Sequence, residues 1–157
     1  SCTHTLLFET GGDILTPENR EKYKQLKIMD ITQWLKEVVL PRIKVIRPKN
    51  RILLHPTCSC QIMGLTPVLL DIARKCAREV ILPDNWGCCG ASGDRGFIFP
   101  ELSDSATRDE RDEIGHESFD GCYSLARTCE IAMQDHIEQP YESIVYLVDE
   151  TIQDQGT

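Results

Sequence analysis

Asn85-Trp86-Gly87-Cys88-Cys89-Gly90-Ala91-Ser92-Gly93-Asp94-Arg95-Gly96 is the stretch from which the rest of the chain is read. Glycine recurs at every third position, at Gly87, Gly90, Gly93 and Gly96, around an adjacent cysteine pair. A backbone of this kind enters left-handed turns that bulkier residues resist, at an entropic cost that an ordinary loop has no reason to bear. Adjacent cysteines bond each other only under strain, because disulfide geometry restricts the dihedral angle and the Cβ separation. They can ligate metal together. The stretch therefore predicts a metal or iron–sulfur site, completed by Cys58 or Cys60 upstream and by Cys129 downstream.

On either side, strand and helix signals alternate. Val80-Ile81-Leu82, within Arg78 to Pro83, reads as a strand that delivers the chain into the loop. Before it, Thr66-Pro67 signals a helix start, and Leu69, Ile72, Ala73, Cys76 and Ala77 share one helical face. Arg51 to His55 is a short apolar run that predicts a buried strand, stopped by Pro56, with Cys58 and Cys60 in the loop beyond. Earlier still, Ser1 to Phe8 is a strand candidate. Thr16-Pro17-Glu18 opens an amphipathic helical segment carrying Ile28, Ile31, Leu35 and Val38 to Leu40.

Downstream of the loop, Pro100-Glu101 starts a helix reaching about Ile114, and the acidic run from Asp104 to Glu117 reads as its solvated face. Ser118 to Leu125 is a weaker strand. Thr128 caps a helix beginning at Cys129, and Ile144, Leu147, Val148 and Ile152 form a terminal helix after Pro140. The expected fold class is α/β, with layered helices on a mainly parallel sheet and the cysteine loops at the carboxyl ends of strands. Ligands bind beyond those ends in such folds.

Seventeen basic against twenty-five acidic side chains give a formal charge of −8. An acidic surface without a basic stripe repels phosphate backbones, so nucleic acid is excluded as the expected partner. The glycine loop lacks the lysine and hydroxyl of a phosphate cradle and does not fit the dinucleotide fingerprint. No apolar run approaches the length of a transmembrane segment, and no signal peptide opens the chain, which makes the cytoplasm the expected compartment. Eight cysteines in 157 residues, without a secretory signal, point to metal or redox chemistry rather than to a disulfide scaffold.

Twenty-nine residues separate Cys58 from Cys88 and thirty-nine separate Cys89 from Cys129, so folding must assemble the site. Soft thiolates suit an iron–sulfur cluster, whose potential is tuned by backbone N–H groups of the kind a glycine-rich loop exposes. Zinc accepts the same thiolates in tetrahedral array, with His55 able to stand in for one. Cys76 and Cys122 read as small core residues. His4, His116 and His136 lack ligand-like spacing.

The motif resembles the cysteine-rich CCG domain found in heterodisulfide reductases, in the iron–sulfur component of glycolate oxidase and in related proteins. His-Pro-Thr-Cys at 55 to 58 is similar to the opening of a copy of that domain. Gly-Cys-Cys-Gly at 87 to 90 is similar to its centre, and Thr-Cys-Glu at 128 to 130 to its closing segment. Ser1-Cys2-Thr3 looks like the end of a preceding copy. Residues 1–50 are then expected to be that end plus a long connecting helix, and 51–157 the CCG-type domain. Cys-Cys-Gly-Ala-Ser-Gly-Asp-Arg-Gly, the later Pro-Glu-Leu and Arg-Thr-Cys-Glu-Ile are closest to the C-terminal region of fused FAD and iron–sulfur D-2-hydroxyacid dehydrogenases, of the D-lactate or D-2-hydroxyglutarate type.

The resemblance implies an electron-transfer domain in which Cys58, Cys88, Cys89 and Cys129 hold an iron–sulfur cluster of the 4Fe-4S type. Gly87, Gly90 and Gly93 would shape the cofactor-binding loop, with Cys2 and Cys60 as reserve ligands. It also implies FAD in the missing part of a full-length protein and flavin and ferredoxin-like domains of that same chain as partners. An electron acceptor follows, and peripheral contact with the inner membrane through the full-length enzyme is compatible with it. The fragment alone is not expected to be active. One departure is visible: where the family often closes with Cys-x-x-Cys, Ala132 stands three residues after Cys129. Members differ in whether a copy holds a cluster or zinc, so a zinc-binding docking module without redox activity is the alternative.

Overall fold

Ile52, Leu53 and Leu54 are wholly buried, and their alternation divides the protein between two apolar cores. Ile52 and Leu54 face one core and Leu53 the other, as the two-residue period of a strand requires. The structure, a computed structural model, describes residues 15–152. Its elements are α1 (Pro17–Lys24), α2 (Ile31–Trp34), β1 (Lys49–Leu54), α3 (Cys58–Ile62), α4 (Thr66–Cys76) and β2 (Ala77–Ile81). Then follow α5 (Arg95–Ile98), α6 (Pro100–Ile114), β3 (Gly121–Ser124), α7 (Arg127–Ile137), β4 (Tyr141–Ser143) and α8 (Ile144–Thr151). The expected strand in Ser1 to Phe8, and Cys2 with it, lie outside the described residues.

The strands form one four-stranded sheet in the order β2-β1-β3-β4, and every pair is parallel. Parallel neighbours need crossover connections, and here helices supply them, covering both faces. On one face, α4 brings Leu69, Ile72, Ala73 and Cys76, and α8 brings Ile144, Leu147 and Val148, onto Ile52, Leu54 and Tyr123. On the other, α7 places Cys129, Ala132, Met133 and Ile137 against Leu53, Cys122 and Tyr141, with Ile114 of α6 beside them. The α/β architecture expected from the alternating signals is the one the chain adopts.

Several local expectations are corrected, the Thr128 cap among them: α7 begins at Arg127 after Ala126, with no side-chain cap. The segment from Thr16 to Leu40 is not one helix. α1 ends at Lys24, and Asp30 restarts the chain with a capping box: its Oδ1 accepts from the Thr32 N–H at 2.9 Å, and Gln33 Oε1 accepts from the Asp30 N–H at 3.2 Å. A π-turn over Leu35–Val39 and a 3₁₀ turn over Leu40–Arg42 then absorb Pro41, which has no N–H to continue an α-helix. Cys58 and Cys60 stand in α3 rather than in a loop, because Thr57 caps that helix through the Cys60 N–H at 3.2 Å. β4 was not foreseen; three residues are too few to show a period.

Of the described residues, no helix is long and apolar enough to cross a membrane. Core truncation and surface truncation should separate cleanly. Leu54→Ala removes a wholly buried side chain and is expected to lower stability by about 2–5 kcal/mol in urea unfolding. Ile62→Ala, at a position 71% exposed, should change it by less than about 0.5 kcal/mol.

Candidate metal centre

Because all four strands are parallel, their carboxyl ends lie on one side of the sheet, and the strand order turns between β1 and β3. β1 continues into His55-Pro56-Thr57-Cys58, β2 runs into the glycine-rich loop, and β3 leads through Leu125 and Ala126 into α7. Each candidate thiol therefore follows a strand end, as expected. Cys58 is the first residue of α3, and Cys129 lies in the first turn of α7.

The loop that carries Cys88 and Cys89 is tied to α6 at both ends. Glu113 accepts from the Asp84 N–H at 2.7 Å, from the Asn85 N–H at 2.8 Å and from Asn85 Nδ2 at 3.0 Å. The Asn85 N–H first, then that of Asp84, hold the Glu113 carboxyl below its ordinary range. Gly90 adopts φ +73°, and a Cβ there would stand 2.6 Å from the Leu102 carbonyl oxygen and 2.7 Å from Ser103 Cα. A Cβ on Gly96 would meet Ser103 Oγ at 2.6 Å and Ala91 Cα at 2.8 Å. Glycine at these two positions lets the cysteine pair lie directly on the helix. Gly93 has φ +78° in open space, and neither a left-handed φ nor a close neighbour marks Gly87.

The thiols face one another. Cys89 and Cys129 are buried, with Sγ atoms 3.0 Å apart, too far for a disulfide and within hydrogen-bonding reach. That hydrogen bond first, then the Ala91 N–H and a charge on His55, hold the Cys89 thiol down at about 6 against the opposing effect of burial. Cys129 is pushed far above the ordinary thiol range, by its bond with Cys89 first, then by burial and the charges of Cys89, Cys58 and Cys88. The pair thus gives up one proton readily and the second very reluctantly. Cys58 is raised by partial burial, then by the charges of Cys88 and Cys89, and it shares a hydrogen bond with Cys88. Cys88 is exposed, and its Sγ accepts from the Gly90 N–H at 3.4 Å.

The other described cysteines stand apart from this group. Cys60 and Cys76 are buried in the core on the opposite face of the sheet, which removes the geometric case for Cys60 as a reserve ligand. Cys122, on β3, is buried on the site's own side, where burial pushes its thiol up to about 12. Both Cys76 and Cys122 are core residues, as their apolar settings in the sequence indicate.

The sequence reading missed Glu110. It lies in the acidic run from Asp104 to Glu117, yet it is buried, and its Oε1 and Oε2 stand 3.1 Å and 2.9 Å from His55 Nδ1. The signal was its place on α6, three and seven residues after the buried Thr107 and Ser103, on the face that meets the protein rather than the solvent.

A donor set of four thiols with backbone N–H groups at three of the sulfurs, Ser59 on Cys58, Gly90 on Cys88 and Ala91 on Cys89, fits a soft metal or cluster. The geometry is not yet that of a bound ion. Of the described residues, no three His, Cys, Asp or Glu side chains are arranged to hold a metal ion as they stand. Two thiolates on one tetrahedral zinc stand about 3.8 Å apart, as Zn–S bonds of ~2.3 Å require. The 3.0 Å Cys89–Cys129 contact would have to open for any metal. No family model, curated protein or solved structure matches the chain.

Two measurements check this geometry. Gly93→Ala should cost about 1–2 kcal/mol for its left-handed backbone, and Gly90→Ala distinctly more, because its Cβ also meets α6; thermal unfolding ranks them. In the metal-free chain, Cys89 should appear as thiolate in ultraviolet absorbance as pH rises through about 6 and be protonated below it. Cys129→Ala should move that midpoint upward. A midpoint that stays put would show that the sulfur contact does not set it.

Proposed function

We propose that the chain is the cysteine-rich electron-transfer domain of an FAD-dependent D-2-hydroxyacid dehydrogenase, with Cys58, Cys88, Cys89 and Cys129 as ligands of an iron–sulfur cluster. The observation that carries the reading is the meeting of thiols from three separate segments, Cys58, Cys88-Cys89 and Cys129, beyond the carboxyl ends of a parallel sheet. Without a metal these thiols hold their protons: burial first, then the charges of Cys88 and Cys89, raises Cys58, and its bond with Cys89 first, then burial and the neighbouring thiolate charges, raises Cys129. A cation offsets those charges and keeps all four deprotonated. When bound, the cluster supplies one-electron transfer. The chain's own residues then do the rest: α3 and α7 present Cys58 and Cys129, the Gly90 N–H lies on the Cys88 sulfur, and burial of Cys89 and Cys129 keeps water from half of the site. Electrons would come from the flavin domain of the longer enzyme and leave for an acceptor.

Substitution in that longer enzyme tests the assignment. Cys88→Ser should leave flavin reduction by the hydroxyacid at its original rate while slowing electron delivery to an acceptor. Equal loss of both steps in a folded protein would contradict it.

One observation favours a second reading, in which Cys89 and Cys129 are a dithiol pair. Their 3.0 Å contact and the low acidity midpoint of Cys89 suit closure to a disulfide, which releases two electrons and two protons to an oxidant. Reversible loss of two titratable thiols in a metal-free chain that accepts neither iron nor zinc would establish that reading.

A further inference from the structure

His55 and Glu110 form a buried pair that the cysteine ligand set leaves unused. His55 is wholly buried and Glu110 1% exposed, and both carboxylate oxygens lie within reach of Nδ1. A carboxylate is taken out of water only where a partner compensates it, and the ring is that partner. The residue is held through its main chain as well as its ring. The His55 N–H donates to the Tyr123 carbonyl at 2.9 Å, Ser124 Oγ donates to the His55 carbonyl at 2.8 Å, and the Tyr141 ring meets the imidazole edge-on, with centroids 6.4 Å apart. The ring cannot turn to solvent.

Nε2, the second nitrogen, is buried and has no hydrogen-bond partner among the described residues. A buried polar atom left alone is costly, and native proteins rarely keep one without a use. With Nδ1 held on the Glu110 carboxyl, Nε2 is the ring nitrogen left for another partner. The core that contains Tyr141, the ring's neighbour, also contains Cys89 and Cys129. Of the two, Cys89 is the thiol on which a His55 charge acts.

We propose that His55 donates its Nε2–H to the sulfur of the centre at Cys89 and Cys129, and that Glu110, which does not touch the centre, is the residue that positions the ring to do so. A metal-held thiolate keeps accepting after its own proton has gone, so the donor is best satisfied when the site is loaded. This arrangement rests on the metal-centre reading above only in requiring that these sulfurs bind a soft metal.

The test loads the full chain, labelled with ¹⁵N-histidine, with ¹¹³Cd²⁺ under anaerobic conditions and follows the His55 ring by NMR. The expected result is a ring N–H that exchanges slowly with water and correlates with cadmium through the hydrogen bond. Glu110→Gln should abolish that protection and weaken Cd²⁺ binding about tenfold, as loss of outer-shell partners does. His55→Leu should weaken it similarly, and His55→Gln, whose amide N–H reaches the place of Nε2, should restore part of the affinity. A freely exchanging ring proton in the loaded chain would overturn the proposal, and so would a direct one-bond coupling that makes His55 a ligand. If the chain takes up no Cd²⁺, this proposal and the metal-centre reading fall together. If it takes up Cd²⁺ but neither iron nor sulfide, only the iron–sulfur reading falls.

Discussion

Parallel pairing of β1 with β3 is the constraint on which the rest of the site depends. Ile52, Leu53 and Leu54 pair with Gly121, Cys122 and Tyr123, and this register brings the exit of one strand beside the exit of the other. A parallel sheet cannot be joined by tight hairpins, so each strand end must open into a loop and helix on the same side. Cys58, the Cys88-Cys89 pair and Cys129 belong to three such exits. Their separation in sequence is thus the consequence of a topology that reunites them. An antiparallel pairing of the same segments would have sent at least one thiol to the far end of the sheet.

The sheet brings the thiols to one region, and α6 sets their detail. Glu113 holds the loop entry through two backbone N–H groups, while Gly90 and Gly96 let the middle of the loop settle on Leu102, Ser103 and Ala91. The same helix buries Glu110 against His55 at the end of β1. One helix therefore joins the cysteine loop to the strand that precedes Cys58. Loosening it would disturb the sulfur geometry and the histidine together, which is why Gly90 and Glu110 matter although neither is a ligand candidate.

What the sequence made legible follows from what its patterns encode. Apolar runs such as Arg51 to His55 and Val80 to Leu82 report burial on both faces, and Thr-Pro pairs report helix starts, so the α/β layering could be read residue by residue. The cysteine-glycine loop stood out because glycine spacing is a backbone signal that needs no partner. Contacts across the fold left no such trace. Glu110 looks like its acidic neighbours until α6 is packed, and β4 is too short to carry a period. The break between α1 and α2 depends on Asp30 and Gln33 capping a new start, which the spacing of Ile28, Ile31 and Leu35 conceals. The placement of Cys58 in a helix turned on the Thr57 cap, a signal visible in the sequence but overridden by the stop expected at Pro56.

The central claim is that the four thiols hold an iron–sulfur cluster rather than zinc or each other. Iron, sulfide and zinc analysis of the anaerobically reconstituted chain, read together with its visible absorption spectrum, tests that claim most directly. The account predicts iron and sulfide in stoichiometric amounts with the broad visible absorption of a cluster, both lost when Cys89 is replaced by serine. Zinc alone, or a colourless chain in which Cys89 and Cys129 oxidise to a disulfide, would contradict it.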